Sequence, residues 1–438
     1  MPLAIAPVAS LDAHQVLVFL LQVTVLLLLA LCLGKVAARV GLPAVVGELA
    51  TGIVLGPSIL GRTVPSVSGW LLPQRPDQAH LLDAIGQIAV LLLVGVTGAQ
   101  LDTRMMRRRK GAVVRIGVGG LVVPLGLGVA AGFVLPGSLL NASTGRPTFA
   151  LFLGIALCVS AIPVIAKTLS DMKLLHRDVG QLILASASIE DAVGWFLLSL
   201  VSTMATVGLQ GHRVALSALY LCGFVVAAYF VGRPLVRLSM AAAARTGESG
   251  TVAATAVVLI LAGAAATQAL GLETVFGAFV VGVLLGTSGD GARAMLAPLR
   301  TVTLSVLAPI FLASAGLRVD LGALRTPSIL LAGAVILVLA TVGKFVGGYA
   351  GARLSRLTHW EGLAIGAGLN ARGVVEIVVA SVGLRLGVLT TATYTIVVLV
   401  AVVTSLTAPP LLRWAMARVE QRADEQLRAA ESADSPVT

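Results

Sequence analysis

Long, predominantly apolar stretches, separated by short polar clusters, recur along almost the whole chain. Runs such as 16–33, 113–135 and 329–339 are long enough, or nearly so, to cross the hydrocarbon core of a membrane as helices. They lack the apolar/polar alternation of membrane β-strands. The pattern predicts about thirteen transmembrane helices, at about 16–38, 43–60, 85–101, 112–136, 148–170, 180–207, 214–240, 251–270, 272–288, 301–316, 327–354, 361–386 and 390–416.

The composition supports an all-α polytopic membrane protein. Apolar residues make up 57% of the chain and charged residues 12%, and the mean hydropathy is +0.99, far from the values of soluble domains. We expect one transmembrane domain over 1–417 and a disordered cytoplasmic tail over 418–438. An enzyme is disfavoured, because no phosphate-binding Gly-Lys-Ser/Thr loop occurs and the histidines lie near predicted helix ends or in loops. We expect no cofactor.

The basic residues indicate how the chain sits in the membrane. The formal net charge is +11, but the distribution of the 31 Lys and Arg residues explains it without a nucleic-acid partner. Most of them, including a cluster over 104–115, fall in loops on one side of the predicted helices. The positive-inside rule therefore predicts that the N-terminus is outside and the C-terminus is in the cytoplasm. We expect the membrane to be a bacterial inner membrane.

Two short motifs occur twice in the same order. Gly47–Ser58 is echoed by Gly277–Ser288 with the pattern G-x4-G-x2-L-G-x-S, and Gly98–Asp102 is echoed by Gly316–Asp320. The copies are seven predicted helices apart, and an odd separation inverts the second copy. We expect repeat one at about 16–207, a linker helix at about 214–240 and repeat two at about 251–416. A chance match between glycine-rich helices is the alternative.

Few ionisable residues fall inside the predicted helices, and each one is a candidate site because its burial in hydrocarbon is costly. Glu190 and Asp191 are neighbours, so on a helix they point about 100° apart and have different roles. A carboxylate in a partly dry cavity can take either a proton or a hard cation, and this competition couples their opposite movements. We therefore predict a cation and proton site at Asp191, with Glu190. A structural ion pair is the alternative for each, and the stronger one for Glu190.

Two predicted helices carry helix-breaking residues at corresponding places in the two repeats. Pro163 interrupts one of them beside Ser160, which joins the candidate cation ligands. The segment from Gly366 to Gly373, which contains Asn370 and Arg372, weakens the other. We expect two crossing broken helices. Simple kinks are the alternative for each helix alone.

The remaining intramembrane charges are assigned supporting roles. Lys344 could neutralise Glu190 or Asp191 when no cation is bound. Arg372 cannot lose its proton, and we expect it to form a structural pair with Glu376, one turn along the helix. A transport or gating role is the alternative for this pair. Glu48 is interpreted as a helix-packing or dimer-contact residue, not as a ligand.

Five segments in order resemble the cation:proton antiporter-2 family, which includes bacterial Na⁺ or K⁺/H⁺ antiporters and plant cation/proton exchangers. They are the segments 42–61, 160–167, 276–282, 309–317 and 370–376. The resemblance implies a homodimer with a dimerisation domain and a moving core, and it matches Asp191 to the essential aspartate and Lys344 to the basic residue of a later core helix. Glu190 departs from the pattern, since Asn, Asp or Gln is common there. A nucleotide-binding regulatory domain is not expected in this chain.

The prediction is therefore a secondary antiporter that exchanges Na⁺ or K⁺ for protons across a lipid bilayer at a midplane carboxylate. Two alternatives stay open, a cation channel and a proton-coupled carrier of an organic solute on the same fold. The choice between Na⁺ and K⁺, the stoichiometry, the pH set-point and the role of Glu190 do not follow from residue spacing.

Overall fold

A computed structural model describes residues 12–40, 42–72, 76–100, 109–141, 144–207 and 211–421, together with Glu425. Within these residues the regular structure is helical, and the only strand-like feature is an isolated β-bridge between Leu140 and Leu389. Asp102 of the repeated motif, the basic cluster at 104–108 and the tail at 422–424 and 426–438 lie outside the described residues.

The first half of the chain contains eleven helices among the described residues. They are α1 (Ala13–Arg39), α2 (Ala44–Leu55), α3 (Leu60–Thr63), α4 (Pro65–Leu71), α5 (Pro76–Ala99), α6 (Lys110–Val134), α7 (Arg146–Cys158), α8 (Ile162–Asp171), α9 (Asp178–Val207), α10 (Gly211–Ala227) and α11 (Arg233–Ala244). A short 3₁₀ turn covers Gly137–Leu139, and a π-helical turn at Ala228–Gly232 joins α10 to α11.

The second half follows. Its helices are α12 (Ser249–Ala269), α13 (Thr274–Gly286), α14 (Asp290–Ala294), α15 (Ala297–Val302), α16 (Ala308–Gly316), α17 (Pro327–Leu354), α18 (His359–Leu369), α19 (Val374–Arg385) and α20 (Thr391–Met416). A π-helical turn at Thr303–Leu307 joins α15 to α16, and a 3₁₀ turn at Leu321–Arg325 precedes α17.

Helix length does not confirm the predicted number of thirteen spans. Among the described residues, 11 helical segments are long and apolar enough to cross a membrane, and the bent pair α18 and α19 raises the number to 12. The remaining predicted span is α13, an apolar helix of 13 residues. At about 1.5 Å per residue it rises only about 20 Å, less than the hydrocarbon thickness. The all-helical membrane architecture itself is confirmed.

The helices pack in two groups. One group, here called the crossing bundle, consists of α6 to α9 and α17 to α20 and contains both interrupted helices. The other, here called the flanking bundle, is built mainly from α1, α2, α5, α12, α13 and α16. Contacts within each bundle are extensive, whereas the direct contacts between them are few and come mainly from α9 against α13 and α16 against α19.

The two repeated motifs pack against each other reciprocally. A Cβ atom on Gly316 of α16 would lie 2.9 Å from the Cα atom of Gly52 in α2. At the equivalent contact between the other two copies, a Cβ atom on Gly98 of α5 would lie 3.2 Å from the carbonyl carbon of Gly282 in α13. Each copy of the first motif thus contacts the second motif of the other half. Reciprocal contacts of this kind are expected when two copies of a duplicated unit are related by a two-fold axis. The close approach of the helices explains why glycine occupies these positions.

The tail differs from its predicted disorder at Glu425. Its carboxylate is buried, with 3% of the residue exposed. Glu425 accepts hydrogen bonds from Arg177 Nε at 2.8 Å and from the Asp178 backbone N–H at 2.7 Å, at the N-terminus of α9. A negative charge is favoured there by the unpaired amides of the first helical turn. Glu425 itself therefore contacts the crossing bundle.

Candidate functional site

Both interrupted helices have genuine breaks. The helix α7 ends at Cys158 and α8 begins at Ile162, so 159–161 are not helical. Pro163 is the second residue of α8, where its missing N–H costs nothing because the first turn of a helix has no internal acceptor for it. The second break separates Leu369 from Val374, with a bend of 44° between α18 and α19. The paired interruption predicted from the sequence is present.

The two breaks are in direct contact. A Cβ atom on Gly373, in the second break, would lie 2.7 Å from the Val164 Cγ2 atom of α8. The Arg372 guanidinium reaches the end of α7 and donates hydrogen bonds to the carbonyls of Leu157 at 2.6 Å and Ala156 at 3.3 Å. The last carbonyls of a helix have no internal donor. Arg372 supplies donors to two of them and places a positive charge at the negative end of α7.

Arg372 also ties the breaks to the surrounding helices. It donates to the Ala340 carbonyl of α17 at 3.0 Å and to Glu376 Oε1 at 3.2 Å. Its own carbonyl accepts a hydrogen bond from the Ser405 hydroxyl of α20. The pair with Glu376 is present as predicted, but most of the hydrogen bonds of the guanidinium go to carbonyls. Arg372 therefore holds four helices together at the crossing.

Glu190, Lys344 and Ser160 form a closed triad. The Lys344 ammonium donates to Glu190 Oε2 and to the Ser160 hydroxyl, the latter at 2.8 Å. Ser160 in turn donates to Glu190 Oε2 at 2.6 Å. None of the three is more than 1% exposed. A buried ion pair such as Lys344 and Glu190 is stable only when its charges and its hydrogen bonds are satisfied together. The three residues of the triad therefore depend strongly on one another.

Close helix packing brings Lys344 to this position. The helix α17 lies so near α6 that a Cβ atom on Gly347 would be 2.2 Å from the carbonyl oxygen of Gly119. On the neighbouring residue of α6, a Cβ atom on Gly120 would be 2.1 Å from Glu190 Oε1. Glycine at these positions therefore allows the ammonium and the carboxylate to meet.

Asp191 lies beside the triad and has no such partner. It is 0% exposed, and neither carboxylate oxygen has a hydrogen-bond partner of normal geometry among the described residues. The backbone amides of Ser160, in the first break, and of Ile162, at the start of α8, face it. In the second break, both polar side-chain atoms of Asn370 are also buried without a partner in the described part of the chain, as is Glu190 Oε1.

Buried polar atoms without partners are rare in folded proteins and require an explanation. Here they gather at the two breaks, where free oxygen atoms come from Asp191, Asn370 and Glu190. Oxygen ligands of this kind suit a hard cation, and an unpaired carboxylate can equally take a proton. Lys344 already neutralises Glu190.

A cavity lies between the bundles. It has a volume of about 80 Å³ and is lined by the flanking residues Asp83, Ser314 and Arg318 and by Ser381 and Arg385 of α19. A separate, smaller space of about 10 Å³ lies beside Pro163 and Val374 at the starts of α8 and α19. Val378 lines both.

Residues 24–417 match the sodium/hydrogen exchanger transmembrane family. The chain belongs to this family. The assignment confirms the cation:proton antiporter family that the motifs predict, and the family and the fold are those of transporters, not of enzymes.

Relatives of known function cover most of this exchanger-family chain. The cation/H⁺ antiporter 17 of Arabidopsis thaliana is 29% identical over 406 residues, which are 91% of this chain and 48% of the relative. The chain thus spans about half the length of such plant relatives. The Na⁺/H⁺ antiporter NhaS4 of Synechocystis is 28% identical over 92% of this chain and 98% of its own. The Na⁺/H⁺-K⁺ antiporter GerN of Bacillus cereus is 24% identical over 90% and 96%.

The fold has a counterpart among solved structures. The sodium proton antiporter MjNhaP1 of Methanocaldococcus jannaschii superposes with a TM-score of 0.66, over 92% of this chain and 98% of its own, at 14% sequence identity. The two chains therefore share the three-dimensional arrangement of their helices.

The structure places most of the predicted site residues together, with two refinements. Lys344 is hydrogen-bonded to Glu190, not to Asp191, and Arg372 caps α7 in addition to pairing with Glu376. Glu48 lies elsewhere, in the flanking bundle against Gly34 of α1.

Sequence reasoning does not single out Gly120 or Ser405, which contact Glu190 and Arg372. For Gly120, the cluster of glycines at 117–120 in an apolar helix is a sequence signal of close helix packing. For Ser405, the sequence contains no comparable signal.

Proposed function

We propose that this chain is a secondary antiporter that exchanges a monovalent cation, Na⁺ or K⁺, for protons, and that Asp191 carries both. One observation supports the proposal above the others. The Asp191 carboxylate is fully buried and lacks normal hydrogen-bond partners among the described residues, while the adjacent Glu190 is neutralised by Lys344. The names of the relatives NhaS4 and GerN agree with this activity.

Exchange follows from competition for one carboxylate. A buried negative charge without a partner is unstable, so Asp191 is occupied either by a proton or by a cation. Asn370 and the Ser160 segment contribute oxygen atoms to the cation, and the backbone amides of Ser160 and Ile162 face the Asp191 carboxylate. Because the two occupants exclude each other, each passage of a cation in one direction is linked to a passage of protons in the other.

Alternating access requires the site to face each side of the membrane in turn. The sparse contacts between the crossing and flanking bundles support a movement of one bundle against the other, as in other transporters with inverted repeats. The basic residues support an orientation with the N-terminus outside and the C-terminus in the cytoplasm. The membrane in this proposal is a bacterial inner membrane. The family resemblance supports a homodimer.

The test is exchange in proteoliposomes. The purified protein is reconstituted into vesicles, and a pH gradient is set across the vesicle membrane. Dissipation of this gradient is followed on addition of Na⁺, K⁺ or Li⁺, with the membrane voltage either clamped or free. We expect a cation-dependent collapse of the gradient. Asp191→Asn should reduce the rate to that of empty vesicles, because an amide can neither take the proton nor neutralise the cation.

Asp320→Asn is the matched control, because Asp320 is a partly exposed carboxylate just beyond the end of the flanking helix α16. This variant should retain exchange. Retained exchange in Asp191→Asn would contradict the proposal. A current that reverses at the cation equilibrium potential and ignores the pH gradient would indicate a channel instead. Stabilisation by organic solutes, with no response to Na⁺ or K⁺, would indicate a solute carrier.

A further inference from the structure

One end of the linker helix carries two arginines at the level where a membrane surface lies. Between Arg213 and Arg233 the sequence has no charged residue. A helix of this length rises about 30 Å, which equals the hydrocarbon thickness of a bilayer. Arg233 therefore marks the boundary between hydrocarbon and headgroups, and Arg237 lies one turn farther out on α11.

Neither arginine is paired with a carboxylate within the described part of the chain. Arg233 lies over the Tyr229 ring, with its Cζ atom 5.4 Å from the ring centroid, and its Nε atom is buried without a hydrogen-bond partner among the described residues. Arg237 is exposed. The two guanidinium groups, with Pro234 and Leu238, line an open groove of about 330 Å³. A buried donor without an acceptor favours an external one.

The groove is bordered by apolar side chains that face away from the protein. Leu235 and Leu238 are 55% and 70% exposed, and Phe230 in the preceding π-helical turn is 71% exposed. On the opposite face of α11, Val236 and Met240 are buried against the flanking bundle. The surface thus presents positive charge beside exposed apolar side chains where the helix crosses the boundary of the hydrocarbon.

We propose that Arg233 and Arg237 form a binding site for the phosphate headgroup of an anionic phospholipid, in the leaflet that borders the start of α11. The two guanidinium groups match a phosphodiester in charge and in hydrogen-bonding geometry. Phe230 and Val231, which are 71% and 66% exposed on the hydrocarbon side of Arg233, lie where the acyl chains of that lipid would pack. The site is separate from Asp191, and the proposal does not depend on the transport activity.

A soluble phosphate shares the headgroup chemistry but not the apolar contacts. The exposed Phe230 and Val231 favour the lipid, because a free anion would leave these apolar side chains uncovered. A site of this kind is expected to prefer phosphatidylglycerol to phosphatidylcholine, since each arginine near an anionic surface strengthens binding about fivefold.

The experiment measures lipid retention by the purified full-length protein. Phosphatidylglycerol or phosphatidylcholine is titrated into the detergent-solubilised protein, and native mass spectrometry counts bound lipids while thermal unfolding reports stabilisation. R237Q and R233Q should each weaken phosphatidylglycerol retention about fivefold, and R237K should retain most of it. R245Q is the matched control, because Arg245 is an exposed arginine just beyond the C-terminus of α11 and outside the groove.

Three results would overturn the site. Equal losses in R245Q and R237Q would mean that diffuse surface charge, not the groove, attracts the lipid. Equal retention of phosphatidylcholine would remove the charge requirement. Equal stabilisation by soluble glycerol phosphate would mean that the arginines bind a free phosphate and not a lipid. Unchanged unfolding of R237Q in phosphatidylcholine alone verifies that the variant is folded.

Discussion

The Arg372 guanidinium donates a 2.6 Å hydrogen bond to the carbonyl of Leu157, so a residue in the second break caps the helix that ends at the first break. The two residues are 215 positions apart in the chain. This contact locks the crossing of the broken helices, and it makes Arg372 a structural residue of the candidate site.

Replacing Arg372 should destabilise the protein. Arg372→Ala leaves the buried Glu376 carboxylate and the carbonyls of Leu157 and Ala340 without these donors. Loss of one partner of a buried ion pair costs about 3 kcal/mol or more. Arg372→Lys keeps the charge but cannot reach the carbonyls as a fork, so it should recover only part of the stability. Thermal unfolding in detergent measures both, and wild-type stability in Arg372→Ala would contradict the capping role.

The Glu190 and Lys344 pair should show strong coupling in a double-mutant cycle. Lys344→Gln alone leaves a buried carboxylate without its cation, and Glu190→Gln alone leaves a buried ammonium. Each single change should lower the unfolding free energy by about 3 kcal/mol. The double variant carries no buried charge at these positions and should be closer to wild type than either single variant. Additive losses in the unfolding measurements would mean that the two residues do not depend on each other.

Gly120 should tolerate no side chain. In Gly120→Ala the new methyl group would lie 2.1 Å from Glu190 Oε1 and displace the carboxylate from Lys344. We expect a loss of both stability and exchange. Gly126→Ala, on the same helix, is the matched control, because a Cβ atom on Gly126 would meet no neighbouring helix within 4 Å. Alanine there should be neutral or stabilising by up to about 1 kcal/mol. Similar behaviour of the two variants would show that helix propensity alone, and not the contact, determines the outcome.

One ion pair bridges the bundles and should affect exchange kinetics. Arg385, at the end of α19 in the crossing bundle, is bonded to Glu273, which precedes α13 in the flanking bundle. If the bundles move against each other, this bond breaks in each cycle. The Arg385 side chain is 41% exposed, so the pair contributes about 1 kcal/mol or less. Glu273→Gln should change the exchange rate by up to about fivefold, measured in proteoliposomes.

The Asp83 and Arg318 pair provides the comparison, because both residues belong to the flanking bundle and line the same cavity. Asp83→Asn should leave the rate within about twofold of wild type. An equal change in the two variants would indicate a general effect of cavity charge. Swapping the charges, in a Glu273→Arg and Arg385→Glu double variant, should restore the wild-type rate.

Much of the site can be predicted because charges inside apolar helices are few. Glu190, Asp191, Lys344, Arg372 and Glu376 stand out in the sequence, since each would be costly in hydrocarbon without a purpose. Pro163 and the glycines before Gly373 likewise predict the breaks. The number of spans is harder to predict, because apolar composition does not determine where a helix such as α13 begins and ends.

The sequence by itself determined the membrane class, the duplicated motifs and the identity of the buried charges, because these follow from hydrophobicity and residue order alone. Only the tertiary structure decided that Lys344 bonds Glu190 while Asp191 lacks a partner among the described residues, and that Arg372 reaches Leu157. Those choices depend on how each helix is rotated and how closely it approaches its neighbours. Contacts such as Gly347 against Gly119 set that approach between residues far apart in the chain.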